Sequence, residues 1–168
     1  MITLIQNIVI DTNVIIHLEK AKILDIAMSD SRLKVVDLVY YKEYKRKDIK
    51  YNNEFSKIER ISLNEKQLKE ALIMHNNKKE NSFFDYACYI AARDNDRILL
   101  TGDWKLKDSL NSDIEIHGAI WYAELLFNEH KLNKKTLLDV FECWVNDDNV
   151  YMPKDLLREK INSLKIKK

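Results

Sequence analysis

The sequence predicts an α/β fold: three layers, α/β/α, around a central and mainly parallel sheet of about five strands, with further helices at the C-terminus. Three observations point there. Apolar runs of strand length alternate with helical patterns along the chain, which is how a parallel sheet with crossover helices reads in sequence. The chain has 168 residues, enough for one domain with a single core. It carries only two glycines and one proline, which implies few strained turns and much helix.

Taken in order, the strands are expected at 5–10, 33–39, 58–62, 97–101 and 113–117. The first closes on Ile8-Val9-Ile10 and the fourth on Ile98-Leu99-Leu100. Helices are expected at 13–21, 22–29, 41–50, 64–77, 82–94, 104–110, 118–130, 134–146 and 153–164. The 82–94 segment is the clearest, with Phe84, Ala87, Cys88 and Ala91 on one stripe and Ser82 placed to cap its start. The 134–146 segment gathers Leu137, Leu138, Phe141 and Val145 on one side. Pro153 suits the first turn of the last helix, and the tail from Lys165 to Lys168 is expected to fray.

Composition narrows the function classes. At 46% hydrophobic and 33% charged, the chain is globular rather than disordered. Its 28 Lys and Arg balance 27 Asp and Glu, so a nucleic-acid binder would need a local basic patch rather than a global field. Cys88 and Cys143 are the only cysteines and read as buried free thiols, without a zinc pattern. Asp11 interrupts the first apolar stretch, so a signal peptide is not expected. No apolar run is long enough to span a membrane, and the cytoplasm is the expected compartment.

The chemistry lies in acidic residues at the ends of expected strands. Ile8-Val9-Ile10 runs into Asp11-Thr12-Asn13, and Ile98-Leu99-Leu100 runs into Thr101-Gly102-Asp103. In an open α/β sheet the crevice at the strands' carboxyl ends is where sites are built. Glu43 falls after the second strand, and Asp85 falls in the first turn of the helix preceding the fourth, so all four carboxylates can meet at one edge. Four carboxylates in a cleft need a counter-charge. Mg²⁺ or Mn²⁺ supplies it through oxygen ligands and can activate water against a phosphodiester. Asn13 and Thr101 are placed to orient a ligand or water by hydrogen bonding.

These residues resemble the PIN domain. The likeness rests on Asp11-Thr12-Asn13-Val14, a Glu after the second strand, Ser82-x-x-Asp85 with Ala91 and Ala92, and Leu100-Thr101-Gly102-Asp103 with Leu106. It covers roughly residues 7 to 127, and the block from Asp85 to Asp103 is its most specific part. The resemblance implies a nuclease domain over 1–130, with 131–168 as a helical extension of the same domain. It implies a metal-dependent ribonuclease with Asp11, Glu43, Asp85 and Asp103 catalytic, and with Asp11, Asp85 and Asp103 on Mg²⁺ or Mn²⁺. It also implies the toxin half of a toxin–antitoxin pair, an RNA substrate, an antitoxin partner and a homodimer. The helical extension departs from the shortest such toxins and looks more like longer PIN proteins.

Plainer readings stand beside these. Ser82-x-x-Asp85 matches a capping box, Asp11-Thr12-Asn13 an ordinary helix start, and Thr101-Gly102-Asp103 a turn with glycine at positive φ. Glu19, Asp37 and Glu54 rival Glu43, which is preferred for its place after a strand. The run from Lys42 to Lys47 reads as a solvated helix face. Its functional reading is phosphate contact by Lys45 and Arg46, with Tyr40, Tyr41 or Tyr44 stacking on bases. Trp104 and Lys105 follow Asp103 and can touch RNA in the same way. His17, His75, His117 and His130 show no ligand spacing and read as structural or exposed. A non-catalytic PIN-fold module binding RNA or protein remains as the alternative function. A phosphatase or phosphoacceptor domain is disfavoured, because 11–13 is not Asp-x-Asp.

Overall fold

A computed structural model describes residues 7–44, 57–95, 97–110 and 114–166, with the side chains of 43 and 44 outside that description. Five strands form one sheet: β1 (Ile8–Ile10), β2 (Leu33–Val36), β3 (Glu59–Ile61), β4 (Ile98–Leu100) and β5 (Ile116–His117). Their order is β3-β2-β1-β4-β5 and every pairing is parallel. The predicted α/β class with helices flanking a parallel sheet is therefore what the chain adopts.

The reason lies in the strand residues. Every residue of β1, β2 and β4 is buried, as expected of strands covered on both faces. β3 forms an edge and is mostly exposed. The buried Lys34 of β2 is neutralised there by Glu59 and donates to the Ser31 carbonyl at 3.0 Å.

The helices are α1 (Thr12–Lys20), α2 (Leu24–Met28), α3 (Asp37–Val39), which runs into a π-helical turn at Tyr40–Tyr44, α4 (Glu65–Asn77) and α5 (Phe83–Arg93). They continue with α6 (Trp104–Ser109), α7 (Ala119–Asn128), α8 (Lys134–Asn146) and α9 (Lys154–Ile166). The chain steps from β1 outward to β3, then crosses back over β1 to β4 and on to β5. Parallel crossovers are right-handed as a rule, which for this strand order assigns α1–α3 to one face and α4–α6 to the other. The order reverses between β1 and β4, and a crevice opens at the carboxyl ends of those two strands.

Several elements differ from the sequence reading. The second strand ends at Val36, not at residue 39. Asp37 ends it: one carboxylate oxygen accepts from the Leu38 amide at 2.6 Å and the other from the Ser62 hydroxyl at 2.6 Å, a local bond that competes with the ladder. The 41–50 helix is described only to Tyr44. In α5 burial extends from Tyr86 through Ala92, all round the helix, because it packs on β1, β2 and β4. On α8, Val140 and Trp144 join Leu137 and Phe141 in the core, while Leu138 and Val145 are only partly buried. Of the tail expected to fray, Lys165 and Ile166 are instead helical, since α9 continues to Ile166 and Lys165 pairs with Glu142 at 2.9 Å, while Lys167 and Lys168 lie outside the described residues. Cys88 is buried, whereas Cys143 is half-buried and donates to the Lys20 carbonyl.

The last two helices pack into the core rather than standing clear of it. Trp144 is fully buried, and its indole N–H donates to the His17 carbonyl on α1 at 2.9 Å. No helix among the described residues is long and apolar enough to cross a membrane.

Candidate functional site

Asp11 is the first residue beyond β1. Its amide still belongs to the sheet, donating to the Leu100 carbonyl at 2.9 Å. Its side chain turns to the next element and caps α1, accepting from the Thr12 amide at 2.7 Å. One residue thus ends the strand and starts the helix, which fixes its carboxylate in the β1/β4 crevice. The residue is 6% exposed.

Thr101 stands opposite, just past β4. Its hydroxyl donates to the second Asp11 oxygen at 3.1 Å and accepts from the Asp103 amide at 3.1 Å. Asp103 caps α6, accepting from the amides of Lys105 at 2.9 Å and Leu106 at 3.4 Å. Asp85 enters from α5. It completes a capping box in which its carboxylate accepts from the Ser82 amide at 2.6 Å and the Ser82 hydroxyl accepts from its own amide at 3.2 Å.

All three carboxylates lie at one sheet edge, and the electrostatics register their proximity. The Asp11 carboxyl is pushed up to about 7, first by burial, then by the negative charge of Asp85 and, less, by that of Asp103. The bonds from Thr101 and Thr12 act in the other direction. Burial, with help from Asp11 and Asp85, also pushes the Cys88 thiol up, so this cysteine behaves as an apolar core residue. Asp85 and Asp103 nevertheless remain turned onto the amides of their own helices. Among the described residues, no three His, Cys, Asp or Glu side chains are grouped closely enough to hold one ion.

The other predicted site residues fall as follows. Glu43 lies within the π-helical turn, with its side chain outside the described residues. Its place directly after a strand belongs instead to Asp37, since β2 ends earlier. Lys45 and Arg46 lie outside the described residues. Lys105 is exposed beside Asp103, and Asn13 is exposed on the first turn of α1. Lys42 sits over the Phe84 ring at 4.0 Å, next to Asp85.

No protein-family model, curated protein or solved structure matches the chain. The functional reading therefore rests on the residues themselves.

Gly102 has a role the sequence suggested in kind but not in cause. No glycine among the described residues has positive φ. What matters is space: a Cβ at Gly102 would lie 3.3 Å from His17 Cε1 and 3.6 Å from Asn13 Cβ. His17 is the residue that sequence reasoning passed over. Its Nδ1 is buried with no hydrogen-bond partner among the described residues, and burial pushes the ring's pKa down to about 4, so it is neutral at ordinary pH. The available signal was its spacing, since residues 13 and 17 share one helix face.

Proposed function

We propose that the chain is a divalent-metal-dependent endoribonuclease of the PIN type, hydrolysing RNA phosphodiester bonds. The observation that carries this reading is a buried carboxyl, Asp11, held at the sheet's switch point with two further carboxylates close enough to oppose its ionisation. A fold that buries one carboxylate among others is short of positive charge. Mg²⁺ or Mn²⁺ suits the deficit because the donors are all oxygen. Asp11 would hold the ion, joined by Asp85 and Asp103 once these turn from the helix-start amides that they accept from, with Glu43 completing the set. The ion's contribution is charge neutralisation and Lewis acidity toward a phosphoryl oxygen.

The chain's own residues divide the remaining work. Thr12 and Thr101 hold the two Asp11 oxygens in place. Thr101 also fixes the start of the Asp103 turn. Asn13 and Lys105 stand exposed at the rim, where a phosphate can be met. A cytoplasmic toxin whose acidic groove is covered by an antitoxin peptide, and which forms a homodimer, belongs to the same reading.

The test is cleavage of a mixed RNA pool by purified protein with Mg²⁺ or Mn²⁺, against EDTA and against Asp11→Asn. Metal-dependent cleavage that disappears in a folded Asp11→Asn variant is the expected result. Cleavage that persists in the variant would sink the reading.

A second reading is a non-catalytic RNA- or protein-binding module of the same fold. It is favoured by the absence, among the described residues, of three acids grouped around one point. Mn²⁺ discriminates the two, because an ion bound only by the folded state raises the melting temperature. The binding module predicts no shift.

A further inference from the structure

A groove of about 900 Å³ opens directly from the acidic site. Asn13, Thr101, Gly102 and Asp103 line it together with Tyr151, Pro153 and Leu156 of the C-terminal segment. Its lining is unusual for surface. Seven large apolar side chains are exposed among the described residues, and three of them, Trp104 at 68%, Tyr151 at 89% and Leu156 at 39%, line this groove. They come from α6, the α8–α9 loop and α9, so neighbourhood in sequence does not account for the cluster. Clustered exposed aromatics mark binding surfaces.

The polar lining narrows the ligand. Lys160 is paired with Glu124 at 2.5 Å, which cancels both charges. Lys107, exposed on α6 and in the groove, has no carboxylate partner among the described residues. Exposed planar rings and a cation without a carboxylate partner among the described residues, beside the Asp103 carboxylate of the candidate site, make up the chemistry of an unpaired polynucleotide.

We propose that this groove is a single-strand binding channel, walled by the C-terminal helices, in which bases stack on Trp104 and Tyr151 while the backbone passes Lys107 toward Asp103. The inference rests on the reading of the acidic site as one that acts on RNA. Stacking is sequence-tolerant, so the channel selects unpaired over paired nucleic acid rather than a particular sequence.

The experiment is fluorescence anisotropy of the full-length Asp11→Asn protein with a labelled short oligouridylate, the same strand with abasic positions, and a blunt duplex. The intact single strand binds tightest. Trp104→Ala and Tyr151→Ala each weaken it by between about fivefold and a hundredfold, and Trp104→Phe retains most of the affinity. Both rings are solvent-exposed, so their removal leaves the fold intact, which circular dichroism checks. Equal binding of the abasic strand, unchanged affinity in both alanine variants, or no binding of any single strand would overturn the proposal, the last leaving the groove to a peptide. Ring-dependent binding by a wild-type protein that cleaves nothing would keep the channel and remove only the ribonuclease reading.

Discussion

Thr101 donates its hydroxyl to Asp11 across 90 residues of sequence, at 3.1 Å, and the same oxygen accepts the Asp103 amide. This one hydroxyl therefore couples the two strand-end aspartates. Thr101→Val removes both bonds without changing shape. It strands a buried carboxylate oxygen and an amide, at a cost of about 1–3 kcal/mol measured by urea denaturation. The bond from Thr101 holds the Asp11 carboxyl down, so the variant moves that titration further upward, as followed by carboxyl-carbon NMR. Thr101→Ser retains the bonds and the wild-type titration. An unmoved Asp11 titration in Thr101→Val would show that the hydroxyl does not govern the carboxylate.

The raised Asp11 carboxyl makes stability depend on pH in a direction opposite to that of most acidic residues. Its value moves from 3.8 to about 7 on folding, so between those values the folded state holds a proton that the unfolded state has lost. The stabilisation from this group is complete below pH 3.8, and it is lost as pH rises through about 7. Asp11→Asn keeps the shape without the charge. In EDTA, the variant melts several degrees above wild type at pH 8, and the gap narrows as pH falls, closing only below pH 3.8. With Mn²⁺ under the metal reading, wild type recovers at pH 8 and the variant does not. Identical melting curves for the two proteins at pH 8 in EDTA would contradict a buried, charge-starved Asp11.

Asp85 has two tasks that substitution separates. As the acidic member of a capping box with Ser82, it stabilises the start of α5; as a charge, it opposes ionisation of Asp11. Ser82→Ala removes the cap's hydroxyl, costs about 1 kcal/mol, and leaves metal-dependent cleavage within a few fold of wild type. Asp85→Asn can still accept the Ser82 amide, so it loses little stability, but it eliminates cleavage and lets the Asp11 titration fall. Full activity in Asp85→Asn would reduce the residue to a helix cap.

What could be read from sequence, and what could not, follows from which forces are local. The β1 and β4 runs were legible because strands buried on both faces are continuously apolar, and Asp11 and Asp103 were legible because each breaks such a run. The end of β2 was misplaced because Leu38 and Val39 extend the apolar pattern, while the deciding contact, Ser62 to Asp37, spans 25 residues. That error also changed the argument for Glu43, whose preference over Asp37 depended on strand length. The groove was illegible: Tyr151 lies between two expected helices, and long-range contacts such as that of Trp144 with α1 tie its segment to the helix that carries Asn13. The spatial relation of Asp11 to Asp85 was inferable from topology, but the orientation of Asp85 onto Ser82 depended on hydrogen bonding within its own helix.

Gly102 offers a test of the boundary between the acidic site and the groove. Its backbone does not require glycine, since its φ is not positive. Alanine there would otherwise stabilise by about 0.4–1 kcal/mol by restricting the unfolded chain. The 3.3 Å approach to His17 Cε1 opposes this, because a methyl so close to a half-buried ring forces one of them to shift. Gly102→Ala alone is therefore destabilising, by about 1 kcal/mol. In a His17→Ala background the obstruction is gone, and the same change becomes neutral or stabilising. A double-mutant cycle in urea isolates the coupling. If Gly102→Ala costs the same in both backgrounds, contact with His17 is not why glycine occupies the position, and the link from Asp103 through Gly102 to the groove loses its steric basis.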